Sequence, residues 1–263
     1  MNHLIDYFGD ACTLDEVQDT IGEYAHTRRS EGAAPATILK ELMQLHCMYN
    51  IAKSQWKWDV KNRVAEIKLP TVNNKRVRYL NPAEHHRLFQ TLQECKQQWL
   101  PPIIMVAVQT GLRLNNVIHL KWSQCDLENR MIIIDGVEMK NGQPLGIPLT
   151  NTVCTVLNSL LSQQSKDDLV CNDANGVPLL NRTVQRAFAK VLKEAKITNF
   201  HFHDLRHTFA SYLCQKGVPL QMIGALCGHK DNRMTQRYAH LNLASLRQAI
   251  GVLDSGTEMS QLN

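Results

Sequence analysis

The sequence has no Cys-x-x-Cys pair and no compact disulfide framework, although it holds eight cysteines, Cys12, Cys47, Cys95, Cys125, Cys154, Cys171, Cys214 and Cys227. Scattered in this way they read as reduced thiols, and a small secreted domain stapled by disulfides is excluded. No apolar run approaches membrane-spanning length, and the opening MNHLIDYFGDACTLDE carries acids where a secretory leader would have an apolar core. A cytoplasmic protein with no membrane partner is expected. Internal repeats and low-complexity tracts are lacking too, so neither a repeat architecture nor a biased segment is expected.

What is there is ordinary in bulk. With 263 residues, 44% hydrophobic and 20% charged, the chain reads as a globular protein whose length suits two domains better than one. A formal charge of +5 and a pI near 8.8 allow an acidic partner such as nucleic acid, without requiring one.

From Leu14 to about Trp58 the pattern is helical. Apolar residues fall at Ile21, Tyr24 and Ala25, then at Ile38, Leu42, Leu45 and Tyr49, at spacings of three and four. Gly32 and Pro35 divide this stretch in two. Residues 1–70 are therefore read as a small helical domain with few helices for a thick core. Between Lys61 and Tyr79 the basic residues Lys61, Arg63, Lys68, Lys75, Arg76 and Arg78 face a single acid, Glu66, while Pro70, Asn73 and Asn74 interrupt regular structure. Residues 71–79 are read as a basic interdomain linker. The composition suits a solvated loop equally, but a segment crossing a phosphate backbone needs this bias, so these six residues are the DNA-binding candidates.

A second domain, residues 80–263, opens with Asn81-Pro82-Ala83-Glu84, which supplies a cap, a proline at the first helical position and a capping-box acid. A helix around Ile103 to Gln109 should end near Gly111. Trp122 to Leu127 and Arg130 to Ile134 read as short strands with a Glu-Asn turn between them. A hairpin follows, with Asn141-Gly142 as the turn suited to positive φ, which puts Lys140 at its tip. Helical periodicity returns in Thr152 to Gln163, Asn181 to Ala195, His203 to Lys216 with Gly217 as a stop, Gln221 to Leu226, and a run from Arg233. The fold class is thus mainly α with a small antiparallel β-sheet (α+β). The tail from Leu241 to Asp254, with Leu243, Leu246, Ile250 and Leu253, is amphipathic enough to pack on its own domain or on another protomer.

Six polar residues stand out when taken together: Arg113, Lys140, His203, Arg206, His229 and Tyr238. Singly each is weak. With 11 His and 14 Arg in the chain, an H-x-x-R pair arises about half a time by chance. His203 and Arg206 share a helix face beside the apolar Leu205, Phe209 and Leu213. The bland alternatives are a capping histidine with a surface arginine, an ordinary exposed Arg113 after a helix-ending glycine, a C-cap His229, and a core tyrosine at Tyr238, four residues after Met234.

Read in order, however, Thr110-Gly111-Leu112-Arg113, Lys140 before its turn, His203-Asp204-Leu205-Arg206-His207-Thr208-Phe209-Ala210, Gly228-His229 and Thr235-Gln236-Arg237-Tyr238-Ala239-His240 form a set that resembles the tyrosine recombinase family of phage-integrase type. The resemblance covers the second domain almost entirely, and the first 70 residues look like that family's helical core-binding domain. It implies a two-domain architecture, with a core-binding domain joined to a catalytic domain. The implied activity is site-specific cutting and rejoining of double-stranded DNA through a covalent 3′-phosphotyrosine at Tyr238, for integration or excision of a prophage or other mobile element.

The chemistry suits these residue types. Planar guanidinium groups at Arg113 and Arg206 match the non-bridging oxygens of a phosphate, and His229 is implied as a further donor. Tyr238 must lose a proton whose ordinary pKa is about 10, so it needs a positive field or a base, which the arginines and His203 can supply. Lys140 can protonate the leaving 5′ oxygen, or serve as a simple phosphate contact. The phosphotyrosine keeps the bond energy, and the six residues include no carboxylate pair, so no cofactor and no metal are expected.

The resemblance also implies a homotetramer on two DNA sites, a monomer without DNA, and room for an accessory DNA-bending or excision factor. Two positions depart from the family pattern: Asn116 stands where an acid usually helps orient the first arginine, and Cys227 where a leucine usually precedes Gly-His. Longer phage integrases that the chain resembles carry a separate arm-site domain first, and nothing in this sequence supplies one. Three other readings stay open: a non-catalytic or degenerate DNA-binding protein on the same fold, a type IB topoisomerase, and a metal-dependent nuclease using His201, His203 and His207.

Overall fold

Thr13, followed three residues later by Glu16, closes a capping box and starts the first long helix: the Thr13 amide donates to the Glu16 carboxylate at 2.8 Å and the Glu16 amide to Thr13 Oγ1 at 3.4 Å. The computed structural model describes residues 2–71, 76–138, 142–163, 168–173, 175–242, 247 and 250–251. Within it the chain divides into two units, Met1–Lys75 and Arg76–Asn263.

The first unit contains α1 (Asn2–Phe8), α2 (Leu14–Ser30), α3 (Pro35–Ser54) and a 3-10 turn at Arg63–Glu66. The break expected at Gly32 and Pro35 is present, with Gly32 at φ +80 and Pro35 opening α3. Ile21, Tyr24, Ile38, Leu42, Leu45 and Tyr49 are buried together, as their spacing predicts. The sequence did not announce α1, which adds Leu4 to this core and sets the Tyr7 ring edge to face with Tyr24 at 5.1 Å and the Phe8 ring tilted against it at 5.3 Å. Among these apolar groups lies a buried polar cluster. Glu41 accepts from the Tyr24 hydroxyl at 2.9 Å and from Arg28 Nε at 3.1 Å, and Arg28 also pairs with Glu31.

The second unit runs through α4 (Pro82–Gln93), α5 (Leu100–Thr110), α6 (Leu114–Ile118), β1 (Cys125–Asp126), β2 (Met131–Ile134), β3 (Leu145–Pro148), α7 (Asn151–Gln163), α8 (Asn181–Glu194), α9 (His203–Gln215), α10 (Leu220–Cys227) and the short α11 (Arg233–Gln236). Asn81 caps α4 as expected, accepting from the Glu84 amide at 2.8 Å. Apolar on nearly every side, α5 buries Ile103, Ile104, Val106, Ala107 and Val108, and packs against α4, α6, α7, α8 and α9. On α8, Val184, Phe188, Val191 and Leu192 form a single apolar stripe, with Phe188 edge-on to Phe200 and Phe202.

The strands form an antiparallel sheet in the order β1, β2, β3, and burial alternates along β3 from Leu145 to Pro148. Glu128 and Asn129 occupy the turn between β1 and β2, as the sequence suggested. The next hairpin differs from expectation. Ile134 pairs with Leu145, so ten residues, 135–144, connect β2 to β3, and they include a 3-10 turn at Gly136–Glu138. A two-residue Asn-Gly turn would have paired Ile134 with Leu149 instead, a register shifted by four residues, and shortened the connection from ten residues to two. Gly142 does hold a positive φ, +71, while Lys140 and Asn141 lie outside the described residues.

The segment read as a linker is also more structured than its composition suggests. Arg76 pairs with Asp204 at 2.9 Å and bonds the Asn199 carbonyl. Arg78 forks onto Glu84 and lies over the Phe200 ring, 5.2 Å from its centre. The Leu80 amide donates to Thr208 Oγ1 at 3.1 Å. These bonds tie residues 76–80 to the second unit, because an arginine beside a carboxylate on its own unit gains more from that pair than from open solvent. Of the remaining basic candidates, Lys61 pairs with Glu66 at 2.9 Å, Arg63 lies 3.7 Å from Asp19, Lys68 is exposed, and Lys75 falls outside the described residues.

Most of the amphipathic tail, 243–246, 248–249 and 252–263, is likewise outside them. The eight cysteines are free. Among the described residues no helix is long and apolar enough to cross a membrane.

Candidate active site

Helix periodicity builds the floor of the site. On α9, His203, Arg206 and His207 stand at positions i, i+3 and i+4, hence on one face. The helix start is fixed by Asp204, whose carboxylate accepts the His201 amide at 2.7 Å. Arg206 is buried, with 4% of its surface exposed, and two of its five N–H groups are spent on its setting. Nη1 donates to the Gly111 carbonyl at 2.8 Å, and Nη2 donates to the carbonyl of Cys227. Three N–H groups remain for a ligand.

Two glycines make that setting. Gly111 ends α5 in the left-handed region, φ +68, and a Cβ there would come within 2.5 Å of the Phe209 ring. The chain then reverses, so that Arg113 lies just before α6 and its carbonyl receives the Asn116 and Val117 amides at 2.9 and 3.1 Å. Gly228 ends α10 in the same way at φ +59, and the His229 amide folds back onto the Gly224 carbonyl at 2.9 Å. His229 Nδ1 meets the hydroxyl of buried Thr235 at 2.8 Å, which leaves the far ring nitrogen free to face a ligand.

These turns converge on one cleft of about 370 Å³, lined by Arg113, His203, Arg206, His207, Gly228, His229, Lys230, Met234, Arg237 and Tyr238. Five of the six residues singled out in the sequence are therefore together. The sixth, Lys140, is outside the described residues. Among the described residues no aspartate or glutamate lines the cleft, whereas Arg113, Arg206, Lys230 and Arg237 all do.

Tyr238 sits in the turn after α11 rather than on a helix, and it is 1% exposed. It packs against Ala210, Cys214, Ile223 and Cys227, so the core-tyrosine alternative describes its ring correctly. Its hydroxyl is different. That oxygen bonds His207 Nδ1 at 2.5 Å, at the wall of the cleft.

Electrostatics follow from crowding cations in a partly dry site. Burial, then the charges of Arg206 and Arg113, push the His229 imidazole down to about 4. Burial, with His203 next, brings His207 down to about 4 as well. Desolvation followed by Arg206 and Arg113 also lowers His203, although its ring is partly open to solvent. Burial raises the Tyr238 phenol well above its ordinary value, against the opposing pull of Arg237 and Arg206. The site is thus arranged with neutral imidazoles, a protonated phenol and unneutralised guanidinium charge.

Sequence reasoning missed His207, Lys230 and Arg237 as lining residues. For His207 a signal existed, since it follows His203 by one helical turn. The three histidines of the nuclease alternative do not converge: His201 is exposed and lies 3.5 Å from Asp204, while the His203 and His207 rings meet edge to face at 5.1 Å. Among the described residues no group of three or more His, Cys, Asp or Glu could hold a metal ion. Asn116 lines a separate cleft with His119 and Lys121.

Fold and cleft together define an α+β protein with a cleft of arginine, lysine and histidine side chains built against a buried tyrosine. Residues 78–244 match the model of the phage integrase family. The integrase of Salmonella phage P22 is 31% identical over 261 residues, which are 95% of this chain and 66% of that protein. The shufflon-specific DNA recombinase of Escherichia coli is 27% identical over 226 residues, 86% of this chain and 55% of that protein. This chain thus spans less than two thirds of the length of either. Among solved structures, the Tn1549 transposon integrase in complex with a circular intermediate DNA superposes with a TM-score of 0.77 at 20% identity, covering 96% of this chain and 92% of that one. A lambda integrase dimer bound to a COC′ core site gives 0.73 at 22% identity, covering 90% and 84%. The chain belongs to the phage integrase family.

Proposed function

We propose that this protein is a site-specific recombinase that cuts and rejoins double-stranded DNA through a covalent 3′-phosphotyrosine at Tyr238, in the integration or excision of a prophage or other mobile element. The observation that carries this reading is the cleft itself: four cationic side chains, three histidines and a tyrosine hydroxyl, with no carboxylate to neutralise them. Arg206 is buried, and a buried positive charge with no carboxylate beside it is costly, so such a cleft is suited to receive an anion. Its chemistry matches a phosphodiester.

Arg113 and Arg206 would clamp the non-bridging oxygens, on which negative charge grows during in-line attack. With two N–H groups held by carbonyls, Arg206 presents the rest in a fixed direction, which is the preorganisation that transition-state stabilisation needs. His229, its Nδ1 occupied by Thr235, would donate from its other nitrogen. His203 would contact the same phosphate from the mouth of the cleft, and Lys140 would protonate the leaving 5′ oxygen. Because the phosphotyrosine retains the energy of the broken bond, the freed 5′ hydroxyl of a partner strand can reverse the step without ATP or a metal.

In the same reading the first unit is the core-binding domain, with Lys68 its open candidate for a phosphate contact. The second unit is the catalytic domain, and a ring of four protomers on two duplexes is the working assembly, with a DNA-bending or excision factor as an accessory. The cytoplasm, where such DNA lies, is the expected location.

A nicked duplex that traps the cleaved strand tests this. The protein is expected to leave a protein–DNA adduct that survives denaturation and forms in the presence of chelator, and Tyr238→Phe is expected to leave none. Exchange of strands between two sites separates a recombinase from a topoisomerase. Tight DNA binding with no adduct would mean a non-catalytic protein on this fold.

A further inference from the structure

We propose that His207 is the base of the reaction: it takes the proton from the Tyr238 hydroxyl as that oxygen attacks phosphorus, and returns it when the strand is rejoined. The proposal rests on the recombinase reading above and assigns a group that the sequence comparison of motifs left without a role.

A general base must stand within hydrogen-bond distance of the proton it removes, and His207 Nδ1 lies 2.5 Å from the Tyr238 oxygen. Both groups are buried, at 7% and 1% exposure, so water is a poor competitor for the proton. The other imidazoles are differently engaged. His229 gives Nδ1 to Thr235, and His203 stands one turn earlier on α9 with its ring edge-on to that of His207 at 5.1 Å. The α9 stripe explains the choice: Arg206 is directed to the phosphate side, and the next residue, His207, reaches the tyrosine packed against α9 and α10.

Charge then decides when the transfer occurs. Burial first, then the His203 ring, and after them Arg237 beside Tyr238 and Arg206 on the same helix oppose a proton on His207, while Asp204 favours it. Burial and the neighbouring cations together keep the imidazole neutral, and its Nδ1 is then the acceptor of the bond from Tyr238. That is the form a base requires. A bound phosphodiester brings negative charge to the same wall and offsets the guanidinium groups, so the imidazole becomes able to hold the proton as the phenolic oxygen loses it.

The step balances as follows. The Tyr238 O–H proton moves to His207 Nδ1, the phenolic oxygen bonds to phosphorus, the bond from phosphorus to the 5′ oxygen breaks, and that oxygen takes a proton from the group on its own side, for which Lys140 is the candidate. Rejoining runs the same transfers backwards, with His207 protonating the tyrosine as it leaves.

The experiment measures single-turnover cleavage on a nicked duplex with either oxygen or sulfur at the bridging 5′ position, since a thiolate leaves without needing a proton. His207→Ala is expected to cleave both substrates about 100-fold more slowly than the unmodified protein, the low end of a general-base contribution, whereas Lys140→Ala is slow on oxygen and restored on sulfur. His207→Gln keeps a polar partner for the phenol but cannot take a proton, and is expected to match His207→Ala while melting like the unmodified protein; this variant carries the test should the alanine protein fold poorly. Cleavage by His207→Gln at the unmodified rate or faster would overturn the proposal, and a faster rate would make the contact a restraint on the tyrosine. Rescue of His207→Gln by the sulfur substrate would also overturn it, by moving His207 to the leaving-group side. If the unmodified protein itself forms no adduct, the recombinase reading fails, a result distinct from normal adduct formation by the variants.

Discussion

Of the tyrosines buried among the described residues, Tyr24 and Tyr49 in the first unit and Tyr238 in the second, Tyr24 and Tyr238 have opposite surroundings. Tyr24, 0% exposed, donates its hydroxyl to the Glu41 carboxylate, which is paired in turn with Arg28. Tyr238, 1% exposed, meets a neutral imidazole in a cleft whose cations have no carboxylate beside them among the described lining residues. Burial raises both phenols. Around Tyr24, however, an anion holds the proton in place and every charge is satisfied, which makes a fixed structural cluster. Around Tyr238 the hydroxyl meets an imidazole nitrogen, and the charges nearby are all of one sign among the described lining residues. Burial of a tyrosine therefore says little about its work, and the company of its hydroxyl says much.

The sharpest way to break this contrast is to remove one oxygen from each. Tyr238→Phe is expected to abolish the denaturation-resistant DNA adduct while the protein stays folded. Tyr24→Phe is expected to keep adduct formation within about twofold and to lose about 1 kcal/mol of stability, the net worth of an ordinary hydrogen bond. Equal loss of adduct in both variants would erase the distinction.

Next in size come the cleft donors. Arg113→Ala and His229→Ala are each expected to lower the cleavage rate roughly 10²- to 10³-fold with little change in melting temperature, as loss of a preorganised donor does. Removing Glu41 should do the reverse: Glu41→Ala lowers the melting temperature by leaving the Tyr24 hydroxyl without its acceptor and Arg28 with Glu31 alone, and leaves the cleavage rate of the folded fraction unchanged.

Acid separates the two regions more gently. Unfolded imidazoles take protons near pH 6.5, whereas folded His207 and His229 do so at about 4. The unfolded chain thus binds more protons across that window, and the second unit loses stability as the pH falls from about 6.5 to about 4. In the first unit burial works to raise the Glu41 carboxyl, but the bonds from Arg28 and Tyr24 outweigh it and the net shift is downward. Its contribution persists until the pH drops below the ordinary glutamate value of about 4.3. Urea titrations followed by the amide NMR signals of each unit, at pH 7 and pH 5, should show the second unit softening first. Earlier softening of the first would contradict the assignment of the buried imidazoles.

The smallest effect compares two glycines at positive φ. Gly32→Ala meets open space and is expected to cost ~1 kcal/mol, the left-handed penalty alone. Gly111→Ala adds a Cβ 2.5 Å from the Phe209 ring and displaces a carbonyl that holds Arg206, so it should destabilise more and slow cleavage as well. Thermal melts and single-turnover rates on the two variants give the comparison.

Much of this was legible in the sequence. Helices α2 to α5 and α7 to α10 follow apolar periodicity, and their ends fall at Thr13, Gly32, Asn81, Gly111 and Gly228, where caps and left-handed turns are chemically obvious. Gathering of Arg113, His203, Arg206, His229 and Tyr238 was likewise readable from motif order. What escaped depends on distant partners. Arg76 and Arg78 looked like linker charges because Asp204 and Glu84 are not marked as their mates by local sequence. The Asn141-Gly142 dipeptide signalled a tight turn, yet the pairing of Ile134 with Leu145 set a longer connection. His207 was hidden behind His203 and Arg206, although helix geometry alone places it on their face.

The central claim, that the cleft gathers cationic and imidazole groups around a phosphate within reach of one phenolic oxygen, is tested most directly by locating the covalent bond. Protein trapped on a nicked duplex, denatured, digested and sequenced by mass spectrometry should carry its nucleotide on the peptide containing Tyr238 and on no other. An adduct on a different residue, or none from a protein that binds the duplex, would contradict it.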